Sequence, residues 1–221
     1  MNPRAFRISA LSALVFTLVF GVHGSAYAEQ SFSDLSPDHP VYAAAEYLKS
    51  NGIISGYSDG TFKPDKQVNR AEALKIIIGG LVTQEQINSV KGTDFSDVPA
   101  GSWYLPYVEI AKVNGVIDGP PAKTAFNGEN PVIKVEFIKM LLLANQVDPN
   151  SYSEIRLPLS SDVDNPSEWY YPYLRYALTA SMTMIAQDGL LHPGRELTRG
   201  ETALLLHRFI MYNLNRRTQA L

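Results

Sequence analysis

The apolar positions of this chain fall into short helical stripes that recur along its length. Val41, Ala45 and Leu48 form one stripe, Tyr104, Val108 and Ala111 a second, and Tyr170, Leu174 and Ala177 a third. Each is followed by a polar, glycine-containing loop and then by another stripe: Ala71, Leu74 and Ile77; Val135, Ile138 and Leu141; Gly200, Ala203 and Leu206. The pattern predicts three helix-loop-helix units. Pro40 and Pro106 fall in or near a first helical turn, where a missing N–H is harmless. Gly52 and Gly115 stand where a helix end calls for a left-handed residue. Ser181 takes that place in the third unit, whose first helix is therefore expected to end differently or to run on.

Short motifs recur in the same order. Phe32-Ser33-Asp34-Leu35 returns as Phe95-Ser96-Asp97-Val98 and, weakened, as Ser160-Ser161-Asp162-Val163. Asn51-Gly52-Ile53-Ile54 matches Asn114-Gly115-Val116-Ile117, and Trp103-Tyr104-Leu105-Pro106-Tyr107 matches Trp169-Tyr170-Tyr171-Pro172-Tyr173. Asn69-Arg70-Ala71-Glu72 matches Ile133-Lys134-Val135-Glu136 and Thr198-Arg199-Gly200-Glu201. The loops carry Asp59-Gly60, Asp118-Gly119 and Asp188-Gly189, each read as a tight turn. Two short helices cannot bury their own stripes, whereas three pairs around a common axis can. The expected fold is all-α: three repeats, 29–92, 93–156 and 157–214, in one pseudo-threefold spindle around a central helix bundle. A polar tail, 215–221, follows.

The first 28 residues change the picture of where the protein acts. Arg4 and Arg7 open a basic start, Ile8 to Val22 is almost wholly apolar, and Ala26-Tyr27-Ala28 supplies small residues for a peptidase. This order reads as a secretory signal peptide, cleaved after Ala28, with no stable membrane span afterwards. Cleavage removes two of the 19 basic side chains and none of the 22 acidic ones, so the net charge of −3 becomes more negative. General nucleic-acid binding needs a basic field and is excluded. With no cysteine, thiolate metal sites, thiol nucleophiles and disulfides are excluded too.

Candidate chemistry sits at the start of each second helix. Thr198 with Glu201 forms a capping box and Asn69 with Glu72 a close variant, while Glu136 holds the equivalent place. Between cap and glutamate stand Arg70, Lys134 and Arg199, cations in a first turn where the macrodipole is already positive. Two readings stay open. An anionic ligand docks beside the cation and the helix N–H groups, or the cation pairs with a carboxylate such as Asp34, Asp97 or Asp162, or is solvated.

These residues resemble the S-layer-homology domain. The likeness rests on Phe32-x-Asp34, on Asn51-Gly52-Ile53-Ile54-x-Gly56-Tyr57-x-Asp59-Gly60-x-Phe62-x-Pro64 and on Asn69-Arg70-Ala71-Glu72. It spans about residues 31–213 and thins toward the third unit. The resemblance implies a spindle with grooves between its prongs. It implies non-covalent anchoring to a secondary cell-wall polysaccharide, often one bearing a pyruvate ketal, or to a peptidoglycan-linked polymer. It places ligand contacts at Arg70 and Arg199, with Lys134 as a substitute lacking the bidentate fork. It adds Trp103 and Trp169 as sugar platforms and Gly52, Gly56, Gly115 and Gly119 as loop glycines. Pro40 replaces the tryptophan in the first unit. Expected partners are the wall polymer and, in an alternative reading, other surface-layer proteins.

An enzyme is not expected. The three glutamates are engaged as caps, and His39, His192 and His207 have no metal-ligand spacing. No serine elbow, phosphate loop or HExxH motif occurs. No cofactor is implied, and neither Ser58-Asp59-Gly60 nor Asp162-x-Asp164-Asn165 has the ligand order of a calcium loop. Only Tyr212–Leu221 is expected beyond the last helix, leaving no cargo region in the same chain.

Overall fold

A computed structural model describes residues 30–119 and 122–218. The leader read at residues 1–28 lies outside the described residues. Among the described residues seven helices are present: α1 (Tyr42–Ser50), α2 (Arg70–Gly79), α3 (Gln84–Ser89), α4 (Leu105–Val113), α5 (Lys134–Ala144), α6 (Tyr171–Thr179) and α7 (Arg199–Thr218). Among the described residues no strand forms a sheet, and no helix is long and apolar enough to cross a membrane.

The helices close a ring. α4 packs on α2 and α6 on α5, so the first helix of each unit lies on the second helix of the unit before it. α1 packs on α7, which joins the first unit to the third. At the centre the chain makes a threefold hydrogen-bond cycle. Val68 N donates to Leu197 O (3.0 Å), Leu197 N to Val132 O (3.0 Å) and Val132 N to Val68 O (2.9 Å). All three side chains are buried. α5 lies at the middle of the core and is apolar nearly all round, with Val135, Phe137, Ile138, Met140, Leu141 and Leu142 buried. A single stripe therefore understates how much of it is covered.

All three first helices end alike. Gly52 and Gly115 both take φ +68°, and their N–H groups bond to Lys49 O and Lys112 O. The following residues reach back one step further, Ile53 N to Leu48 O and Val116 N to Ala111 O, which is the paired bonding of a Schellman cap. Ser181 does the same at φ +54°, with Ser181 N on Leu178 O and Met182 N on Ala177 O. The expectation of a different ending in the third unit is thus overturned: the cap's hydrogen bonds and packing hold a serine where glycine is intrinsically favoured. Ser181→Gly is accordingly expected to raise stability by roughly 0.5–1 kcal/mol, read as an upward shift of the thermal midpoint by circular dichroism.

Two further expectations change. α7 continues to Thr218, because Tyr212 still finds neighbours in Tyr152 (hydroxyls 2.5 Å apart) and Tyr176. The supposed tail from Tyr212 is therefore largely helix. Asp118-Gly119 is not a tight turn of the Asp59-Gly60 kind. Gly60 and Gly189 take φ +80° and +81°, but Gly119 does not share that conformation and instead occupies the place of Gly56. A Cβ on Gly56 would meet the Phe32 ring at 2.8 Å, and one on Gly119 would meet Lys112 at 2.7 Å and the Phe95 ring at 3.2 Å. Close approach to the protein's own side chains accounts for both glycines.

Candidate functional site

The aspartate of each Phe-x-Asp motif or its counterpart fastens a loop. Asp34 accepts from Phe62 N (2.7 Å) and Lys63 N (2.8 Å). Asp97 accepts from Phe126 N (2.7 Å) and Asn127 N (2.6 Å). Asp162 accepts from Leu191 N (2.9 Å) and His192 N (2.8 Å). The second residue of each pair has positive φ: Lys63 +57°, Asn127 +57°, His192 +51°. Three identical clamps thus set the loops that lead into the second helices. These aspartates are not the partners of the helix-start cations; pairing with one of the protein's own carboxylates is instead met at Arg70 by Glu136.

The helix starts are also already satisfied. Arg70 N donates to Asn130 O and Ala71 N to Gly128 O, Lys134 N to Arg195 O and Val135 N to Pro193 O, Arg199 N to Lys66 O and Gly200 N to Pro64 O. Asn69 and Glu72 complete a reciprocal capping box (2.8 and 3.1 Å), as do Thr198 and Glu201 (3.3 and 2.9 Å). The expectation that open helix N–H groups meet an anion does not hold, because a neighbouring unit supplies carbonyls to them. Any anion must be met by side chains. Glu136 departs from its expected capping role: Ile133 offers no side-chain acceptor, α5 begins without a side-chain cap, and Glu136 Oε2 faces Arg70 Nη1 at 2.9 Å.

The three cations have different fates. Arg70 lies over the Phe126 ring (5.4 Å), donates from Nε to Phe126 O (3.2 Å) and opens onto a cleft of about 370 Å³. Lys123, Lys139, Asp118, Glu136, Phe126, Ile117 and Trp169 share its walls. Lys139 Nζ stands 5.6 Å from the Trp169 ring centre and 3.7 Å from Asp118, and Lys123 is 3.9 Å from the same carboxylate. Trp169 is 52% exposed and braced edge-on by Tyr170. Three cations against two carboxylates leave this cleft net positive within a net-negative chain. Arg70 and Trp169 come from the first and third units, and the second unit's loop and helix α5 lie between them.

Arg199 lies over the Tyr57 and Phe62 rings, 5.1 Å from each, with Nη2 on Ser55 O (2.6 Å). Lys75 approaches Trp103 (5.4 Å), itself 51% exposed, as Lys139 approaches Trp169. Lys134 is buried, and its Nζ donates to Leu191 O at 2.7 Å. Burial, together with the charge of Arg195, lowers its pKa against the opposing influence of Glu201 and Asp162. Gly52 and Gly115 remain helix ends, away from these side chains' chemistry.

Two features escaped sequence reasoning. Helix α3 is announced by Thr83-x-x-Gln86, which forms a full capping box. Arg175, buried in α6, holds the connection between the second and third units through Pro149 O and Ile155 O (3.3 Å each). No motif signals it.

Comparison with known proteins identifies the family of the repeats. The model described as "S-layer homology domain" matches residues 31–74 and 94–138. These two stretches are S-layer homology repeats. Among the chain's relatives is the "Surface-layer 125 kDa protein" of Lysinibacillus sphaericus, 33% identical over 62% of this chain and 11% of that protein. The "Cellulosome-anchoring protein" of Acetivibrio thermocellus is 30% identical over 60% of this chain and 30% of its own length. The "Amylopullulanase" of Thermoanaerobacterium thermosulfurigenes is 26% identical over 86% of this chain and 10% of its own. The alignments thus cover 30% or less of each of these relatives. The S-layer homology match and the surface-layer relatives place the chain at the cell surface or cell wall.

Proposed function

We propose that this S-layer homology chain holds to the bacterial envelope by docking an anionic secondary cell-wall polysaccharide, or a peptidoglycan-linked polymer, in the cleft between Arg70 and Trp169. One observation carries the reading: partly exposed cations and a half-exposed indole meet in an open, net-positive cleft on a chain that is otherwise net negative. Arg70 and Lys139 suit a carboxylate or phosphate of the polymer, and Trp169 offers a flat apolar face to a sugar ring. The clamped loop and the packing of α6 on α5 hold these groups in place before ligand arrives, which limits the ordering penalty of binding.

Residues 157–214 act in this reading as a third repeat. They share the aspartate clamp, the helix ending and the capping box of the first unit. Export through cleavage of residues 1–28 brings the chain to the wall. The "Cellulosome-anchoring protein" and the "Surface-layer 125 kDa protein" are consistent with this role.

The test is sedimentation with purified walls of the producing bacterium, before and after the secondary polymer is stripped with acid. Wild-type protein is expected to pellet only with unstripped walls, without releasing soluble fragments. Arg70→Ala loses a charge-assisted contact of about 1.5–3 kcal/mol, so its wall affinity should fall roughly 10- to 100-fold with helical content retained. Equal affinity in wild type and variant removes Arg70 from the site.

A further inference from the structure

The three repeats produce three pseudo-equivalent grooves, and they differ in a way that bears on how the polymer is held. Resting on the anchoring reading above, we infer that a single groove per chain, that of Arg70 and Trp169, receives the polymer, and that Tyr57 closes its counterpart at Arg199.

Space separates the grooves. The cleft at Arg70 encloses about 370 Å³, whereas the one beside Arg199 and Ile76 has no room for a water molecule. The distinguishing side chain is Tyr57. The Arg199 guanidinium lies over both the Phe62 and the Tyr57 rings, 5.1 Å from each centre, with Ser55 O taking an Nη2 proton. Arg70 has only the matching Phe126 ring against it among the described residues. Lys63 and Lys66 also lie over Tyr57, 4.3 and 5.6 Å from its centre, and pin the phenol ring from outside. The third groove lacks the chemistry altogether. Its cation, Lys134, is buried on Leu191 O, Leu204 stands where Lys139 does, and Pro40 replaces the tryptophan.

Charge favours the opposite outcome, which makes the inference a real contest. Arg70 is paired with Glu136, while among the described residues Arg199 has no carboxylate partner and its buried Nε has no acceptor. If charge dominated, ligand would push Tyr57 aside and fill the Arg199 groove first. Displacement would have to break one aromatic–guanidinium contact and two lysine–phenol contacts, each about 0.5–1 kcal/mol or more. The open cleft demands none of this, so space prevails.

The two tryptophans report the two grooves separately. By the threefold register, Trp103 stands to Arg199 as Trp169 stands to Arg70. Polymer fragments released by acid from the walls are titrated against Trp103→Phe, which keeps Trp169, and Trp169→Phe, which keeps Trp103. Saturable fluorescence change in the first and none in the second is the expected result. Tyr57→Ala added to Trp169→Phe, with folding checked by circular dichroism, should make Trp103 respond. A Trp103 response equal to or earlier than that of Trp169 overturns the inference. So does a silent Trp103 in the folded Tyr57→Ala variant, or wall pelleting with neither tryptophan responding. Failure of wild-type protein to pellet with unstripped walls overturns the anchoring reading itself.

Discussion

A chain ending at residue 156 is expected to lose cooperative folding altogether, although it keeps two complete repeats. The reason is the closed ring. Removing the third unit strips α7 from α1 and from α5, and α6 from α5, so every helix-on-helix face that closes the ring through that unit is lost. Ala45 and Leu48 on α1 and Leu141 and Leu142 on α5 are fully buried in the whole molecule. The central cycle also opens, because Val68 N loses its acceptor Leu197 O and Lys134 N loses Arg195 O. Exposing a buried aliphatic side chain removes about 1.5–3 kcal/mol, and a few such losses exceed the ~5–15 kcal/mol by which a domain is stable. Thermal unfolding followed by circular dichroism, with sedimentation velocity for oligomeric state, checks this. A monomeric fragment with a sharp transition near that of the full chain would show that the repeats fold as independent beads. Restoration of the transition by adding a separate 157–221 fragment would strengthen the ring account.

The three helix-loop-helix units of the ring were legible in the amino-acid order because their signals are local and repeated. Helical stripes, the Asn51-Gly52 and Asn114-Gly115 endings, and the Asn69…Glu72 and Thr198…Glu201 boxes each name a backbone event within a few residues. What failed to show was anything set by contacts across units. Asp34, Asp97 and Asp162 looked like free carboxylates, yet each is committed to amides 28 to 30 residues further on. Helix starts that look open from their own sequence receive carbonyls from a neighbouring unit. Equal spacing likewise concealed unequal grooves. Arg70, Lys134 and Arg199 occupy one position of the repeat, but their surroundings are a carboxylate, a carbonyl and two rings respectively. The tryptophan pairing is equally a matter of topology, since Trp169 joins Arg70 only because α6 packs on α5.

The aspartate clamp yields the largest effect expected of a single substitution. In Asp97→Ala, Phe126 N and Asn127 N lose bonds of 2.7 and 2.6 Å to a carboxylate, and Asn127 is left at φ +57° without the bond on its own N–H. Two charge-assisted hydrogen bonds to partly covered amides are together worth about 2–4 kcal/mol net. That is enough to lower the denaturant midpoint clearly without changing its slope. Asp97→Asn keeps one acceptor oxygen and should lie between the two. The same clamp predicts acid sensitivity in the third unit. Burial pushes the Asp162 pKa up, but bonds from Ser160, Leu191 N and His192 N outweigh it and hold the carboxyl below its usual range. A folded-state pKa lower than the unfolded one gives stability that is complete above the unfolded value, about 3.9, and is lost as pH falls through the folded one. Asp162→Asn should therefore destabilise at pH 7 and flatten the stability profile below about pH 4 relative to wild type. Denaturant titrations at pH 7 and at pH 3 separate the two effects. A variant whose deficit is the same at both pH values would mean that the carboxylate's charge contributes nothing to the clamp.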